Sequence, residues 1–146
     1  MNNMHVHASL LDDAALCAQV VEQIDPEGRL PLPDAYAIQA AAMDLRLRRG
    51  EDRTGVKMGF TSRAKMIQMG ISDVIWGRLS SGMHVEEGTT ISFKRYVHPR
   101  VEPELAFVLK HPLSGNVTAV QALAAVEAVA PALEIIDSRY RDFKFT

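Results

Sequence analysis

The order of two hydrophobic periodicities along the chain constrains the fold more than any other feature. In the first part, apolar side chains recur every three or four positions, from Ser9 to about Ile24 and again after Asp34, and this spacing predicts two amphipathic helices. Beyond them, short apolar runs bounded by turn residues predict strands. Helices followed by strands indicate an α+β fold rather than a regular βαβ array. We therefore expect an N-terminal helical segment, residues 1–53, and a sheet-forming segment, residues 54–146.

Residue types at the ends of these patterns predict further boundaries. Thr61 or Ser62 is placed to cap a short helix that ends at Gly70. Thr118 and Gln121 have the spacing of a capping box, which predicts a helix that Pro131 stops. Strands are expected at four places: Gly55–Phe60, Thr90–Lys94, Val101–Leu109 and Ala132–Asp137.

Charge and hydropathy narrow the classes of function. The formal net charge is -2 and the pI is near 6.2, which argues against a nucleic-acid-binding protein, because that class needs a basic patch. The N-terminus lacks the basic region and apolar run of a signal peptide, and no apolar stretch reaches the ~18 residues of a membrane span. We expect a cytoplasmic protein. The single cysteine, Cys17, lies in an apolar helical pattern and is expected to be a small buried side chain.

Two glutamates stand two positions apart in the stretch His98–Leu109. Because side chains alternate between the faces of a strand, Glu102 and Glu104 project from the same face. The other face carries apolar side chains that we expect in the core: Pro103, Leu105, Phe107 and Leu109. Paired carboxylates provide the hard oxygen ligands that Mg²⁺ and Mn²⁺ prefer. The alternative is a solvent-facing strand whose polar side carries two glutamates.

A third carboxylate, Glu134, lies within the apolar run Ala132–Asp137. An ionised carboxylate in such surroundings needs a cation, because its desolvation costs several kcal/mol. Arg100 or Arg139 could supply that cation in a salt bridge. The alternative is a metal ion shared with the two strand glutamates. The sequence pattern by itself favours the arginine and leaves both possibilities open.

Lys57 interrupts an apolar strand between Val56 and Met58. A lysine in this setting often lays its aliphatic chain on apolar surface and keeps its ammonium in water. Alternatively, the ammonium points into a pocket, where it would bind a substrate carboxylate or stabilise an enolate.

Taken in order, these motifs resemble those of a known family. The matching stretches are Lys57–Ser62, Gln68–Gly70, Ile75–Gly77, His98–Glu104 and Pro131–Tyr140. In order and spacing they are similar to the 2-hydroxypentadienoate hydratase and 4-oxalocrotonate decarboxylase family, within the fumarylacetoacetate-hydrolase superfamily. The resemblance covers the whole chain and is densest from Lys57 onward. It implies that the N-terminal helical layer is followed by part of a mixed β-sheet, or β-roll, of the type found in that superfamily.

The resemblance also implies a metal site. The three metal carboxylates of the family correspond to Glu102, Glu104 and Glu134. The expected ion is Mg²⁺ or Mn²⁺.

The active-site lysine of the family corresponds to Lys57, and the resemblance implies that Ile75 and Trp76 bind substrate. Hydratases of the family typically carry an acidic residue at the position of Ile75, whereas the decarboxylases do not, so a decarboxylase is favoured over a hydratase. The expected reaction is metal-dependent loss of CO₂ from a 2-oxo dicarboxylate, 4-oxalocrotonate (2-oxo-3-hexenedioate). Its product is 2-hydroxypenta-2,4-dienoate, within meta-cleavage degradation of aromatic compounds.

Members of this family are longer than the present 146 residues. The sequence is therefore expected to represent a fragment that lacks further strands of the roll. Exposed sheet edges and apolar faces would then favour an oligomer, and the resemblance implies association with the partner 2-hydroxypentadienoate hydratase. Two alternatives stay open: a hydratase of the same superfamily, or an inactive module that only associates with that hydratase.

Overall fold

The computed structural model describes residues 3–70 and 72–144, and its elements follow the predicted α+β order. The helices and strands are α1 (Asn3–Cys17), α2 (Leu32–Arg48), β1 (Arg53–Gly59), α3 (Arg63–Met69), β2 (Ile75–Ser80), β3 (Arg100–Leu109), α4 (Ala119–Ala125) and β4 (Val126–Ile136). Contacts group the chain into two compact units, Met1–Val97 with Arg139–Thr146, and His98–Ser138. The segment boundary between residues 53 and 54 stays a prediction.

In the first unit, α1 packs against α2 through small and apolar side chains. Ala8 and Ala14 of α1 are buried, as are Ile38 and Met43 of α2. Strands β1 and β2 pair antiparallel, and α2 contacts β2. The helical layer thus covers one side of a two-stranded sheet.

The predicted bounds of the two long helices are partly correct. Helix α1 ends at Cys17 rather than near Ile24, because Ala18 adopts a left-handed backbone with φ of 51°, which a right-handed helix cannot include. Cys17 is exposed at this helix end, so the prediction that it is buried was wrong. Helix α1 also begins at Asn3 rather than at Ser9, and α2 begins at Leu32, two residues before Asp34.

The predictions for the middle of the chain had mixed success. Strand β1 and helix α3 are confirmed, and Gly70 ends α3 with a φ of 66°. The strand predicted at Thr90–Lys94 was wrong, since a loop and the 3₁₀ turn Phe93–Arg95 occupy this region. A strand needs a hydrogen-bonded neighbour, and within the described ranges this stretch pairs with none.

In the second unit, β3 and β4 form an antiparallel ribbon. The capping box of Thr118 and Gln121 is confirmed, but α4 ends at Ala125 and Pro131 lies inside β4 instead of stopping the helix. Pro131 pairs with Leu105, and a residue without an N–H is tolerated there because β4 lies at the edge of a two-stranded ribbon.

One face of this ribbon is apolar and exposed. The prediction that Pro103, Leu105, Phe107 and Leu109 lie in the core was wrong. Pro103 is exposed, and the other three side chains are 64%, 57% and 48% exposed. In the described residues of this unit, no second layer covers that face of the ribbon. We call this surface, formed by Val101, Leu105, Phe107, Leu109, Val129 and Leu133, the apolar ribbon face.

Among the residues that the structure describes, no helix combines the length and the apolar character needed to cross a membrane.

Candidate functional site

Three carboxylates meet on the face of the ribbon opposite the apolar ribbon face. Glu102 of β3 pairs directly with Glu134 of β4, and Glu104 pairs with Ala132. One carboxylate oxygen of each glutamate lies within 4.8 Å of the others. The three predicted metal ligands, from two strands about thirty residues apart in sequence, are therefore brought together by the register of β3 and β4.

The surroundings of this carboxylate cluster leave room for a ligand. Glu102 and Glu104 are exposed, and Glu134 is partly buried. The next residues on the same face are small, because Ala106 pairs with Ala130 and Ala132 lies opposite Glu104. Arg100 also lies on this face of β3, two residues before Glu102. The two candidate partners of Glu134, Arg100 and a metal ion, would therefore both lie on this face.

The donor set suits a hard divalent cation. Two ligand oxygens on opposite sides of Mg²⁺ lie about 4.2 Å apart, and around Ca²⁺ they lie up to about 5 Å apart. The oxygens of the cluster lie within 4.8 Å of one another, and they would have to move closer together around Mg²⁺, because three ligand oxygens of one ion cannot all lie on opposite sides of it. Rotation of the two exposed glutamate side chains allows such a movement.

Contacts at one end of the ribbon connect β3 and β4 close to the cluster. The backbone N–H of His98 donates a hydrogen bond of 2.5 Å to Asp137 Oδ1, and His98 Nδ1 lies 2.9 Å from the carbonyl oxygen of Ser138. Sequence reasoning missed this support. The signal available was an aspartate placed just after one strand and a His-Pro turn just before the other.

In the first unit, the β1–β2 sheet places two of the predicted substrate-facing residues on one face. Lys57 pairs with Gly77, and Gly59 pairs with Ile75. Residues two apart on a strand share a face, so Lys57 and Ile75 are diagonal neighbours on the same side of the sheet. Lys57 is partly buried, and Ile75 is 40% exposed.

Trp76 lies on the opposite face of this sheet, where α2 packs. Its ring stacks on Tyr36 with a centroid distance of 4.9 Å, and the Arg78 guanidinium lies 4.6 Å from its centre. The backbone N–H of Trp76 donates to Tyr36 Oη, and its carbonyl oxygen accepts from Gln39 Nε2. The structure thus gives Trp76 a packing role, and its predicted role in substrate binding stays a prediction.

Comparisons with known proteins agree with the sequence motifs. No family model matches the chain. A 4-oxalocrotonate decarboxylase from Pseudomonas sp is 56% identical over 139 residues, covering 95% of this chain and 54% of the relative. A 2-oxo-hept-4-ene-1,7-dioate hydratase from Escherichia coli is 37% identical over 146 residues, covering 95% of this chain and 54% of the relative.

A solved structure gives the same result for the fold. The 4-oxalocrotonate decarboxylase from Pseudomonas putida G7, complexed with magnesium and adipate, superposes with a TM-score of 0.92 at 33% identity. The superposition covers 98% of this chain and 55% of that one. The chain thus spans about half the length of the relatives it matches. From this similarity in sequence and in structure, the chain belongs to the family of the 4-oxalocrotonate decarboxylases.

Proposed function

We propose that the chain carries the metal-binding part of an enzyme that decarboxylates 4-oxalocrotonate to 2-hydroxypenta-2,4-dienoate. One observation carries the proposal: Glu102, Glu104 and Glu134 present carboxylate oxygens within 4.8 Å of one another on one face of the β3–β4 ribbon. The relative with 56% identity is named for this reaction. Degradation of aromatic compounds by meta-cleavage is the proposed setting.

Mg²⁺ or Mn²⁺ is the proposed ion. Magnesium is present in the solved relative from Pseudomonas putida G7, and three carboxylates around a dication would leave a net charge of about -1. When bound, such an ion would act as a Lewis acid that polarises the 2-oxo group of the substrate. Glu102, Glu104 and Glu134 would hold it and leave other coordination positions for substrate oxygens.

The reaction requires an electron sink and a proton, but no attacking water. The bond between C5 and the C6 carboxylate breaks, and CO₂ leaves. The electron pair of that bond shifts through the conjugated carbons to the 2-oxo oxygen, and protonation of this oxygen gives the dienol product. We assign to the Lys57 ammonium the binding of a substrate carboxylate or of the developing enolate oxygen, an assignment that rests on the family resemblance.

Ile75 supports a decarboxylase rather than a hydratase. It projects from the same sheet face as Lys57, at the position where hydratases of the family typically carry an acidic residue. An isoleucine cannot act as a general base for water. An apolar side chain also disfavours a charged carboxylate relative to neutral CO₂, because desolvating the charge is costly.

The decisive test is the decay of 4-oxalocrotonate absorbance in Mg²⁺ or Mn²⁺, with CO₂ trapped in parallel. Metal-dependent decay with CO₂ release, lost in Glu104→Gln and retained in Glu127→Gln, would establish the decarboxylase. Glu127 is a suitable control because it is an exposed carboxylate of β4 outside the cluster. Decay without CO₂ would favour the hydratase. Mn²⁺ binding without any decay would show that this segment holds the ion but does not suffice for turnover.

A second candidate function is association with the 2-hydroxypentadienoate hydratase. The observation that favours it is the apolar ribbon face, whose six large side chains are each 48–72% exposed, because contiguous exposed apolar surface marks interaction sites. Co-purification with that hydratase, weakened by Phe107→Ser and Leu105→Ser but without turnover, would support the assembly role alone. The oligomeric state and the cytoplasmic location stay predictions.

A further inference from the structure

Two glycines of the β1–β2 sheet face the two residues that are proposed to contact substrate. Gly77 of β2 pairs with Lys57 of β1, and Gly59 of β1 pairs with Ile75 of β2. Glycine inside a strand weakens the strand, and it often marks a place where another group approaches the backbone closely. Each glycine thus lies directly opposite one of these two side chains, which suggests that both side chains require the space that a glycine leaves.

The contact at Gly77 is specific to the aliphatic part of Lys57. A Cβ atom added to Gly77 would lie 3.1 Å from Lys57 Cγ, 3.5 Å from Cδ and 3.7 Å from Cε. The lysine side chain thus runs across the bare backbone of β2, and an alanine there would push it away by a few tenths of an ångström. At Gly59 the corresponding Cβ would lie 2.9 Å from Ile75 Cγ1.

The backbone of Gly77 does not itself require glycine. Its φ lies outside the left-handed region, so an alanine would not be strained by backbone conformation. The effect of substitution is therefore confined to the space above the strand, which the Lys57 side chain occupies.

Helix α2 holds both neighbours of Gly77. Trp76 is bound through its backbone N–H to Tyr36 Oη at 3.2 Å and through its carbonyl oxygen to Gln39 Nε2 at 3.1 Å. On the other side, Arg78 Nη1 donates to Gln39 Oε1 at 2.9 Å. With both neighbours held, the strand cannot easily shift to relieve a new contact between residue 77 and Lys57.

We infer that Gly77 is a positioning residue for Lys57: its bare backbone, held in place by α2 through Trp76 and Arg78, sets the path of the lysine side chain and hence the position of its ammonium. The inference rests on the proposed function for the role of the ammonium, but the geometry is independent of that role. Trp76, in this view, acts on substrate through Gly77 and Lys57 rather than by touching it.

The geometric test is nuclear Overhauser spectroscopy of the ¹³C-labelled chain. Gly77→Ala should lose or weaken the contacts between the Lys57 methylene protons and the backbone protons of residue 77. Gly55→Ala is the matched control, because a Cβ at Gly55, on the same strand as Lys57, meets no atom within 4 Å. Unchanged Lys57 contacts in Gly77→Ala would overturn the inference.

The functional test is titration with adipate in Mg²⁺, followed by calorimetry, with adipate chosen because the solved relative contains it. Gly77→Ala should weaken binding about fivefold in the presence of Lys57, and should have no further effect in the Lys57→Ala background. A merely structural role would weaken binding equally in both backgrounds, and that result would overturn the inference. If adipate fails to bind the unmodified chain, this segment does not bind the dicarboxylate by itself, and the Lys57 contacts alone decide the positioning role.

Discussion

Glu102 and Glu134 face each other directly across β3 and β4, as a pair of like charges in register. Like charges at opposed positions destabilise a sheet, by an amount on the order of a few tenths of a kcal/mol up to about 1 kcal/mol. Glu104 lies close enough to add to the repulsion. A divalent cation would reverse the sign of the interaction, so the same residues that weaken the ribbon without metal should stabilise it with metal.

We therefore expect Glu102→Gln to raise the melting temperature by a few degrees in EDTA. The same substitution should lower the affinity for Mn²⁺ at least about tenfold, since it removes a charged ligand. Thermal melts with and without metal, together with Mn²⁺ titration by electron paramagnetic resonance, measure both effects. Glu127→Gln serves as the control. Unchanged Mn²⁺ affinity in Glu102→Gln would exclude this residue as a ligand.

The junction of α1 and α2 depends on a buried carboxylate. Asp12 is 4% exposed and accepts two hydrogen bonds from Arg49, of 2.6 and 2.8 Å. Asp12→Ala should lower the free energy of unfolding by about 1–3 kcal/mol, because it leaves the guanidinium without its partner. The partial exposure of Arg49 places the effect at the lower end of that range.

Urea denaturation of Asp12→Ala measures this loss. Glu22→Gln is the matched control, because Glu22 pairs with Arg141 on the surface, where solvent screens the charges. An equal loss of stability in the two variants would contradict the importance assigned to burial.

Glu51 should make the first unit sensitive to acid. Burial by itself raises the pKa of Glu51, but the hydrogen bond from Ser80 and the charge of Arg46 outweigh it and bring the pKa below its usual 4.5. A lowered folded-state pKa stabilises the protein above the unfolded value, and this stability is lost as pH falls through the folded value. The melting temperature should therefore decrease as the pH drops below about 4.5.

In the same pH series, Glu51→Gln should show a smaller decrease in melting temperature at acid pH. Its melting temperature at pH 7 should be lower, because the substitution removes the charged interaction. Glu87→Gln, at an exposed loop position, should follow the unsubstituted protein. A Glu51→Gln curve parallel to that of the unsubstituted protein would contradict the linkage.

Ile75 provides a test of the decarboxylase assignment. Ile75→Asp would place a carboxylate on the same sheet face as Lys57, as its diagonal neighbour. It should slow CO₂ release at least about tenfold, because the aspartate would compete for the ammonium and repel the substrate carboxylate. Ile75→Val, which keeps the site apolar, should retain most of the rate. CO₂ release by Ile75→Asp at the unsubstituted rate would refute the role given to the apolar side chain.

Local spacing in the sequence determined several parts of the molecule. The alternation of side chains put Glu102 and Glu104 on one face of a strand, and the capping box of Thr118 and Gln121 located the start of α4. These features depend on neighbours within a few residues, because φ and ψ preferences and side-chain direction are local properties.

Tertiary structure decided what local spacing could not. The register of β3 with β4 placed Glu134 opposite Glu102. The register of β1 with β2 placed Trp76 on the face opposite Lys57, where it stacks on Tyr36 of α2. The same limit explains why Leu105 was wrongly predicted to be buried. An apolar pattern predicts which face of a strand tends to be buried, but not whether another element packs against it. Strand register and burial depend on contacts between residues far apart in sequence, and their free energies come from packing and pairing rather than from local backbone preference.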